Sequence, residues 1–287
     1  MGKIVAIANQ KGGVGKTTTT VNVAACIAAL ERKVLLIDID PQSNATSALG
    51  FDKSQPHIST YDVIIGNSPA DASIRETTLS FLKLMPSDIN LVGAEIELVE
   101  LGNRESLLKN AIAHLKDNYE FLLIDCPPSL GLLTVNALTA ADSVLVPVQT
   151  EYFALEGLGQ LLNTISMVKK NLNNGLELEG VLLTMFDSRL KLSNQVVDEV
   201  RRYFDQRVFK TVIGRNVRLS EAQSFGKPII LYDAASLGAK HYMELAKEFL
   251  DRNKRKTKHE ISEAKPPFAQ DPLQGKITAE NRKDTKL

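Results

Sequence analysis

A glycine-rich loop near the amino end constrains the fold of this chain more than any other feature. Residues 10–20 read Gln-Lys-Gly-Gly-Val-Gly-Lys-Thr-Thr-Thr-Thr. The apolar, β-branched run at residues 3–9 predicts a buried strand before the loop, and residues 21–30 are typical of a helix after it. Strand, glycine loop and helix in this order are the setting of a phosphate-binding loop.

The residue types in the loop fit phosphate chemistry. Gly12, Gly13 and Gly15 allow backbone N–H groups to turn inward, and the start of the helix adds a positive partial charge. Lys16 supplies a full charge, and Thr17 stands where a hydroxyl ligand for nucleotide-bound Mg²⁺ belongs. The alternative is a glycine-rich turn with solvated lysines, but the flanking strand and helix favour a nucleotide site. The predicted nucleotide-binding residues are Gly12, Gly13, Val14, Gly15, Lys16, Thr17 and Thr18.

Two apolar runs end in carboxylates. Residues 33–37 lead into Asp38 and Asp40, and residues 121–124 lead into Asp125. Runs that are apolar throughout predict central parallel strands, and open α/β sheets bind ligands at the carboxyl ends of such strands. We therefore predict that Asp125 is a Walker B aspartate that holds the water shell of Mg²⁺ opposite Thr17. Asp38 fits this edge as well, or is a strand-end turn residue.

The loop departs from the common phosphate-loop pattern, because Gln10 replaces an expected glycine and Lys11 adds a second lysine. In this it resembles the deviant Walker A box, Lys-Gly-Gly-x-x-Lys-Thr, of the ParA/MinD group of P-loop ATPases. The resemblance implies an ATP sandwich dimer in which Lys11 reaches in trans into the phosphates of the partner's nucleotide. Lys11 and Lys16 are therefore both predicted to be nucleotide-binding and catalytic residues.

Later segments continue this resemblance. Residues 38–46 are close to the family's switch I segment, which implies that Asp40 is catalytic by positioning or activating the attacking water. With Thr17 and Asp125, Asp40 completes the predicted metal site. Residues 215–222 and 226–229 also match, which implies a nucleotide contact by Asn216, although Gly214 stands where the family usually has proline.

The resemblance is strongest to the ParA/Soj branch of DNA-segregation ATPases. It implies that ATP and Mg²⁺ join two copies into a homodimer, that the dimer binds DNA without sequence preference, and that a ParB-like partner stimulates hydrolysis. Arg189 and Arg218 occupy matching positions for DNA contact, whereas Lys191, Arg201 and Arg202 are only their neighbours in sequence. A solvated basic surface is the alternative for each of them.

Two other functions stay open beside this hypothesis. A MinD-like, membrane-associated regulator of the division site would end in an amphipathic membrane helix, but the basic run near the carboxyl end lacks interleaved large apolar residues. A nucleotide-gated scaffold would show negligible turnover. Cys26 and Cys126 are the only cysteines, and together with the lack of a signal-like start and of a long apolar run they favour a soluble protein of the cytoplasm. The resemblance to the ParA/Soj branch implies a location at the nucleoid.

The predicted fold class is α/β: a single-domain P-loop NTPase with a twisted, mostly parallel sheet flanked by helices on both faces. Residues 1–251 are expected to form this domain, with a strand at 208–213 and helical spacing over residues 98–115. Residues 252–287 carry ten Lys or Arg and five Asp or Glu. With few apolar residues, this segment is predicted to be a basic, disordered tail.

Overall fold

A computed structural model describes residues 1–54, 57–151 and 154–259. Within these ranges the strands are β1 (Lys3–Ile7), β2 (Val34–Asp38), β3 (Arg75–Glu76), β4 (Leu82–Met85), β5 (Phe121–Asp125), β6 (Ser143–Gln149) and β7 (Glu177–Thr184). The helices are α1 (Lys16–Ala29), α2 (Asn44–Ala48), α3 (Thr60–Ile64), α4 (Ala70–Ser73), α5 (Leu91–Glu97), α6 (Leu107–Ile112), α7 (Leu132–Ala140), α8 (Ala154–Asn171), α9 (Lys191–Phe204), α10 (Val217–Ser224), α11 (Ile229–Tyr232) and α12 (Leu237–His259). Short 3₁₀ turns lie at Leu98–Glu100, Ala113–Asp117 and Asp205–Arg207.

The strands form one mixed sheet in the order β3-β4-β2-β5-β1-β6-β7. All neighbouring strands are parallel except the pair β3–β4, which is antiparallel. Every residue of β2 and β5 is buried, and because side chains alternate across a strand, both faces of the sheet are covered. The predicted α/β class with flanking helices is confirmed, and the antiparallel edge strand β3 is an addition to it.

The register of the central strands places the predicted site residues together. Asp38 at the end of β2 lies beside Asp125 at the end of β5, and Ile7 at the end of β1 lies on the other side of Asp125. The glycine loop follows β1 directly. The parallel sheet therefore gathers the loop and both apolar-run carboxylates at one edge, as the pattern of strand-end aspartates predicts.

Two predicted elements differ in the structure. Residues 208–213 form no strand: they meet β7 through one isolated bridge, between Val208 and Val181, and through two backbone hydrogen bonds, from the Phe209 and Ile213 N–H groups. Between these contacts the backbone N–H groups of Lys210 and Thr211 donate instead to the Glu248 carboxylate, at 2.8 and 2.9 Å. The helical spacing over 98–115 is interrupted before α6. Asn103 there has a φ of 56°, in the left-handed region that does not continue a right-handed helix.

The last helix runs further than predicted. The chain divides into two compact units. The first, Met1–Phe249, contains the sheet, and the second begins at Leu250. Helix α12 continues to His259, past the predicted boundary at 251. Residues 252–259 contain no Gly or Pro that would end a helix. Residues 260–287 lie outside the described ranges, so the disordered tail stays a prediction for them.

Candidate nucleotide site

The glycine loop leaves β1 and turns sharply into α1. Gly13 and Gly15 have φ values of 73° and 87°, a left-handed conformation that a residue with a Cβ adopts at a cost. Gly15 is also the N-cap of α1, which starts at Lys16. The free N–H groups of the first helical turn therefore point at the mouth of the loop, which is the arrangement that binds anions.

Lys16 lies folded over this loop. Its side chain is buried, and Nζ donates to the backbone carbonyl oxygen of Lys11 at 3.1 Å. Burial lowers the pKa of Lys16, and the negative charge of Asp125 is the largest influence in the opposite direction. A cation removed from water and bonded to a neutral carbonyl is well placed to exchange that contact for a phosphate oxygen.

Two threonine hydroxyls of α1 hold the Asp125 carboxylate. Thr17 donates to Oδ2 at 2.8 Å and Thr20 donates to Oδ1 at 2.7 Å. Sequence reasoning paired Thr17 with Asp125 and missed Thr20. The signal for Thr20 was its spacing, since residues three apart on a helix lie on the same side.

Asp38 shapes the loop that carries Asp40. Oδ1 of Asp38 accepts the backbone N–H of Asp40 at 3.1 Å, while Oδ2 accepts both the N–H and the hydroxyl of Thr46, at 2.8 and 2.7 Å. Asp38 is therefore a structural organiser of the segment rather than a simple strand-end turn residue.

The Asp40 carboxylate is also buried, and its Oδ1 accepts the backbone N–H of Gln42 at 2.9 Å. The Ser87 hydroxyl donates to the backbone oxygen of Asp40 at 2.6 Å. Because its backbone is fixed from two sides, Asp40 is held at the same sheet edge as Asp125 and Lys16.

Burial sets the ionisation of the paired strand-end carboxyls. Burial raises the pKa of Asp125, with a further contribution from the charge of Asp38, and the hydrogen bonds from Thr20 and Thr17 act in the opposite direction. Burial likewise raises the pKa of Asp38, against the hydrogen bonds from Thr46. A cation at this edge would relieve the mutual repulsion of the ionised forms.

These shifts predict how stability changes with pH. The folded protein holds a proton on Asp125 more tightly than the unfolded chain does, so this contribution is full below about pH 4 and is lost as the pH rises towards the raised folded pKa. Asp125→Asn should remove this part of the decline in the free energy of unfolding, measured by urea titration of the nucleotide-free protein across that range. An unchanged pH slope in the variant would contradict the raised pKa.

Lys11 lies at the mouth of the loop and is paired within its own chain. Its Nζ is 3.5 Å from Oε2 of Glu151, and Arg215 approaches Oε1 of the same carboxylate at 3.6 Å. The Lys11 side chain is 35% exposed and that of Glu151 is 49% exposed, so the contact is a weak surface ion pair. The sequence did not predict the pairing of Glu151 with Lys11, because a contact between two segments that are distant in sequence has no local signal.

The helix after Asn216 is anchored to the loop's helix. Gln223 of α10 donates to the Thr18 hydroxyl at 2.9 Å. The Asn216 side chain caps α10 by accepting the backbone N–H of Arg218 at 2.9 Å. The structure therefore brings α10 against α1 and gives Asn216 a capping contact, while its predicted nucleotide contact stays a prediction.

The chain resembles known proteins over most of its length. Residues 2–178 match the family profile described as AAA domain. In solved structures, cobyrinic acid a,c-diamide synthase from Mycobacterium smegmatis with bound ADP and magnesium superposes with a TM-score of 0.78 at 37% identity, over 94% of this chain and 100% of that one. The chromosome partitioning protein ParA of Myxococcus xanthus (strain DK1622) is 52% identical over 257 residues, which are 90% of this chain and 91% of that protein. The sporulation initiation inhibitor protein Soj of Bacillus subtilis (strain 168) is 59% identical over 248 residues, which are 86% of this chain and 98% of that protein.

The chain belongs to the ParA/Soj family. The predicted resemblance is thereby confirmed. Within the described part of this ParA/Soj protein, no helix has the length and apolar character needed to cross a membrane.

The two arginines predicted to contact DNA are exposed and paired. In this ParA/Soj chain Arg189 forms a two-point contact with Asp187, at 2.9 Å from Nε and 2.7 Å from Nη2, and these bonds lower the pKa of Asp187 to about 2. Arg218 lies 2.8 Å from Glu221 and 3.7 Å from Asp233. A phosphate would have to compete with these carboxylates for each guanidinium.

Proposed function

We propose that this chain is a chromosome-partitioning ATPase that hydrolyses ATP to ADP and phosphate with Mg²⁺. The observation that carries the proposal is the contact of 2.8 Å between the Thr17 hydroxyl and the Asp125 carboxylate, beside a phosphate loop whose lysine is buried. A hydroxyl and a carboxylate oxygen are the protein ligands that Mg²⁺ accepts next to nucleotide phosphates.

The residues present fit such a metal. Thr17 and Asp125 would hold it, directly or through water, and Asp40 is the further predicted ligand. No group of three or more His, Cys, Asp and Glu side chains that could hold a metal ion by itself occurs in the described residues, so the remaining ligands would come from phosphates and water. When bound, Mg²⁺ supplies charge neutralisation at the phosphates.

The chain's own residues would do the remaining work. Lys16 and the N–H groups that start α1 would bind the phosphates, and their positive charge would favour the transition state as negative charge shifts between oxygens. The Asp40 carboxylate would orient the attacking water. The Asp40 N–H donates to Asp38 and the Asp40 carbonyl oxygen accepts from Ser87, and these two bonds would keep the carboxylate in place.

Dimerisation is proposed to depend on Lys11. Its weak pairing with Glu151 would be exchanged for a phosphate of the partner's nucleotide, which is a stronger, charge-assisted contact. Lys11→Ala is expected to bind ATP as a monomer, to form no ATP-dependent dimer, and to hydrolyse ATP at the background rate. Sedimentation with ATP and phosphate release would be measured together.

Lys33→Ala is the matched control for this variant, since Lys33 is exposed and lies just before β2, at the opposite edge of the sheet. It should dimerise and hydrolyse ATP as the wild type does. If Lys11→Ala formed ATP dimers with normal turnover, the trans-acting lysine would be refuted.

DNA contact is proposed to follow dimerisation. Arg189→Glu and Arg218→Glu should each weaken binding of the ATP-bound protein to DNA of any sequence and flatten its salt dependence, because each change removes a phosphate contact. Arg32→Glu is the control: Arg32 also pairs with a surface carboxylate, Glu120 at 3.4 Å, but it precedes β2 at the opposite edge. Weakening confined to one DNA sequence would indicate base recognition instead.

Partner and location complete the proposal. A ParB-type protein would stimulate hydrolysis and so release the dimer from DNA, and the site of action would be the nucleoid in the cytoplasm. The support is the family membership together with the exposed arginines. ATP turnover measured with and without DNA and the partner would test this step.

A further inference from the structure

An exposed apolar ridge runs along one side of α5 and the 3₁₀ turn that follows it. We call this surface the α5 ridge and define it by its four apolar residues, Ile89, Val92, Ile96 and Val99. These side chains are 65%, 53%, 74% and 55% exposed. Val92 and Ile96 lie four residues apart on α5, while Ile89 lies in the turn before the helix and Val99 in the 3₁₀ turn after it. A spacing of three, four and three residues is that of one side of a helical segment.

The ridge is not the core face of α5 turned outward. Leu91, Ala94 and Leu98, on the other side, are fully buried and already pack the helix against the domain. The helix therefore has two apolar sides, and one of them lacks any cover in the described structure. Contiguous exposed apolar side chains of this kind mark interaction surfaces in soluble proteins.

The charge around the ridge limits what could cover it. Residues 84–103 contain no Lys or Arg. Glu97 and Glu100 are exposed and Asp88 and Glu95 are partly exposed, so carboxylates border the apolar residues along their whole length. The next basic residue, Arg104, bonds to the Val99 carbonyl and to Glu105 and so does not extend over the acidic border.

A second copy of the same ridge is a poor match, since pairing it with itself would bring carboxylates against carboxylates. A segment with Lys or Arg beside its apolar residues would satisfy both features at once. The ridge runs through the turn before α5, the helix itself and the 3₁₀ turn after it, a length of about 15 Å, which suits a partner helix of about three turns. We propose that the α5 ridge is the docking site for a basic amphipathic helix of a partner protein.

The position of the ridge gives docking a route to the nucleotide site. Ile89 lies two residues after Ser87, whose hydroxyl holds the Asp40 backbone and whose N–H donates to Thr46 at 3.0 Å. Glu95 lies against Gly131, at the end of the loop that follows Asp125. A partner on the ridge would therefore act on both loops that carry the site's carboxylates. This regulatory consequence rests on the proposed ATPase function, whereas the docking does not.

The test uses the full chain and a synthetic amphipathic helix of leucine and lysine, about five turns long, with a peptide of equal charge in which serine replaces leucine. Binding is measured by fluorescence anisotropy without nucleotide. The wild type should bind the leucine-lysine peptide, and Ile96→Ser with Val99→Ser should weaken that binding by about tenfold or more. Glu100→Lys should weaken it by about threefold or more, with a larger effect at low salt.

Matched controls distinguish peptide binding at the ridge from nonspecific binding elsewhere on the protein. Met167 of α8 is an apolar residue that is 59% exposed, and Met167→Ser removes its side chain. Glu244→Lys makes the same charge change as Glu100→Lys, at an exposed position of α12. Both should bind the peptide within about twofold of the wild type. All four proteins should melt like the wild type, because each substitution lies on the surface.

Three results would overturn the docking proposal. They are no binding to the wild type, equal weakening in the controls, or loss of the ATP-dependent dimer in Ile96→Ser with Val99→Ser, which would assign the ridge to a second copy. If the protein hydrolysed no ATP, the proposed function would fail, but the peptide result would still decide the docking. In an active protein, peptide binding at the ridge should raise turnover in the wild type and leave the double serine variant unchanged.

Discussion

Lys16→Met is expected to lose ATP binding and, with it, every later step. The Lys16 ammonium is the buried positive charge of the glycine loop, whereas Lys11 is 35% exposed. Removing a buried charge that pairs with phosphate costs about 2–5 kcal/mol, or roughly 30-fold or more in affinity. Methionine keeps the length of the buried stem. Equilibrium binding of a fluorescent ATP analogue, with phosphate release beside it, measures the effect.

Stability separates loss of binding from loss of folding. Burial lowers the pKa of Lys16, which means that the charged form is held unfavourably in the nucleotide-free protein. Lys16→Met should therefore melt at or above the wild-type temperature without nucleotide, and it should gain no stability when ATP and Mg²⁺ are added, unlike the wild type. If the affinity of Lys16→Met for ATP stayed within a few-fold of the wild-type value, the proposed role of the glycine loop in binding phosphate would be wrong.

The parts of the site that the sequence predicts are those fixed by local pattern. The glycine loop, its flanking strand and helix, and the aspartates after apolar strands all follow from short-range rules, since parallel strands deliver their carboxyl ends to one edge. Thr17 and Asp125 were paired correctly for this reason. Their roles in binding and catalysis stay predictions.

The contacts that were missed depend on long-range packing. Glu151 reaches Lys11 from the end of β6, and Gln223 reaches Thr18 from α10, so neither has a signal near its partner in sequence. The strand expected at 208–213 failed for a similar reason, because a carboxylate from α12, Glu248, takes two of its backbone N–H groups. β-Propensity cannot register such a competitor.

The acidic border of the α5 ridge also shows what periodicity alone leaves open. The predicted helical spacing begins at residue 98 and so leaves out α5, and within the 3₁₀ turn that follows α5 Leu98 is buried whereas its apolar neighbour Val99 is 55% exposed. An outward apolar side next to the Asp40 loop therefore has to be found in the folded structure.

Asp40 should be separable from Lys16 by its effect on turnover alone. Asp40→Ala is expected to bind ATP and to accumulate as an ATP-bound dimer that binds DNA. Its rate of ATP hydrolysis should fall by about 100-fold or more, which is the usual contribution of a group that handles the attacking water. ATP binding should persist because Thr17 and Asp125 would still hold the metal, and because the loss of a negative charge near the phosphates offsets the loss of the third predicted ligand. Sedimentation with ATP, DNA binding and phosphate release would be measured on one preparation.

Asp40→Asn distinguishes the charge from the loop structure. Asparagine keeps an oxygen that can accept the Gln42 N–H, now 2.9 Å from Oδ1, so the turn should persist while the negative charge is lost. Equal slowing in the Ala and Asn variants would place the effect in the carboxylate's charge, and the exposed Asp71→Ala would serve as the control with normal turnover. Normal hydrolysis by Asp40→Asn would make Asp40 a structural residue of the loop. Loss of ATP binding in both variants would instead show that the predicted metal contact of Asp40 is needed to bind the nucleotide, and the attacking water would then be oriented by another group.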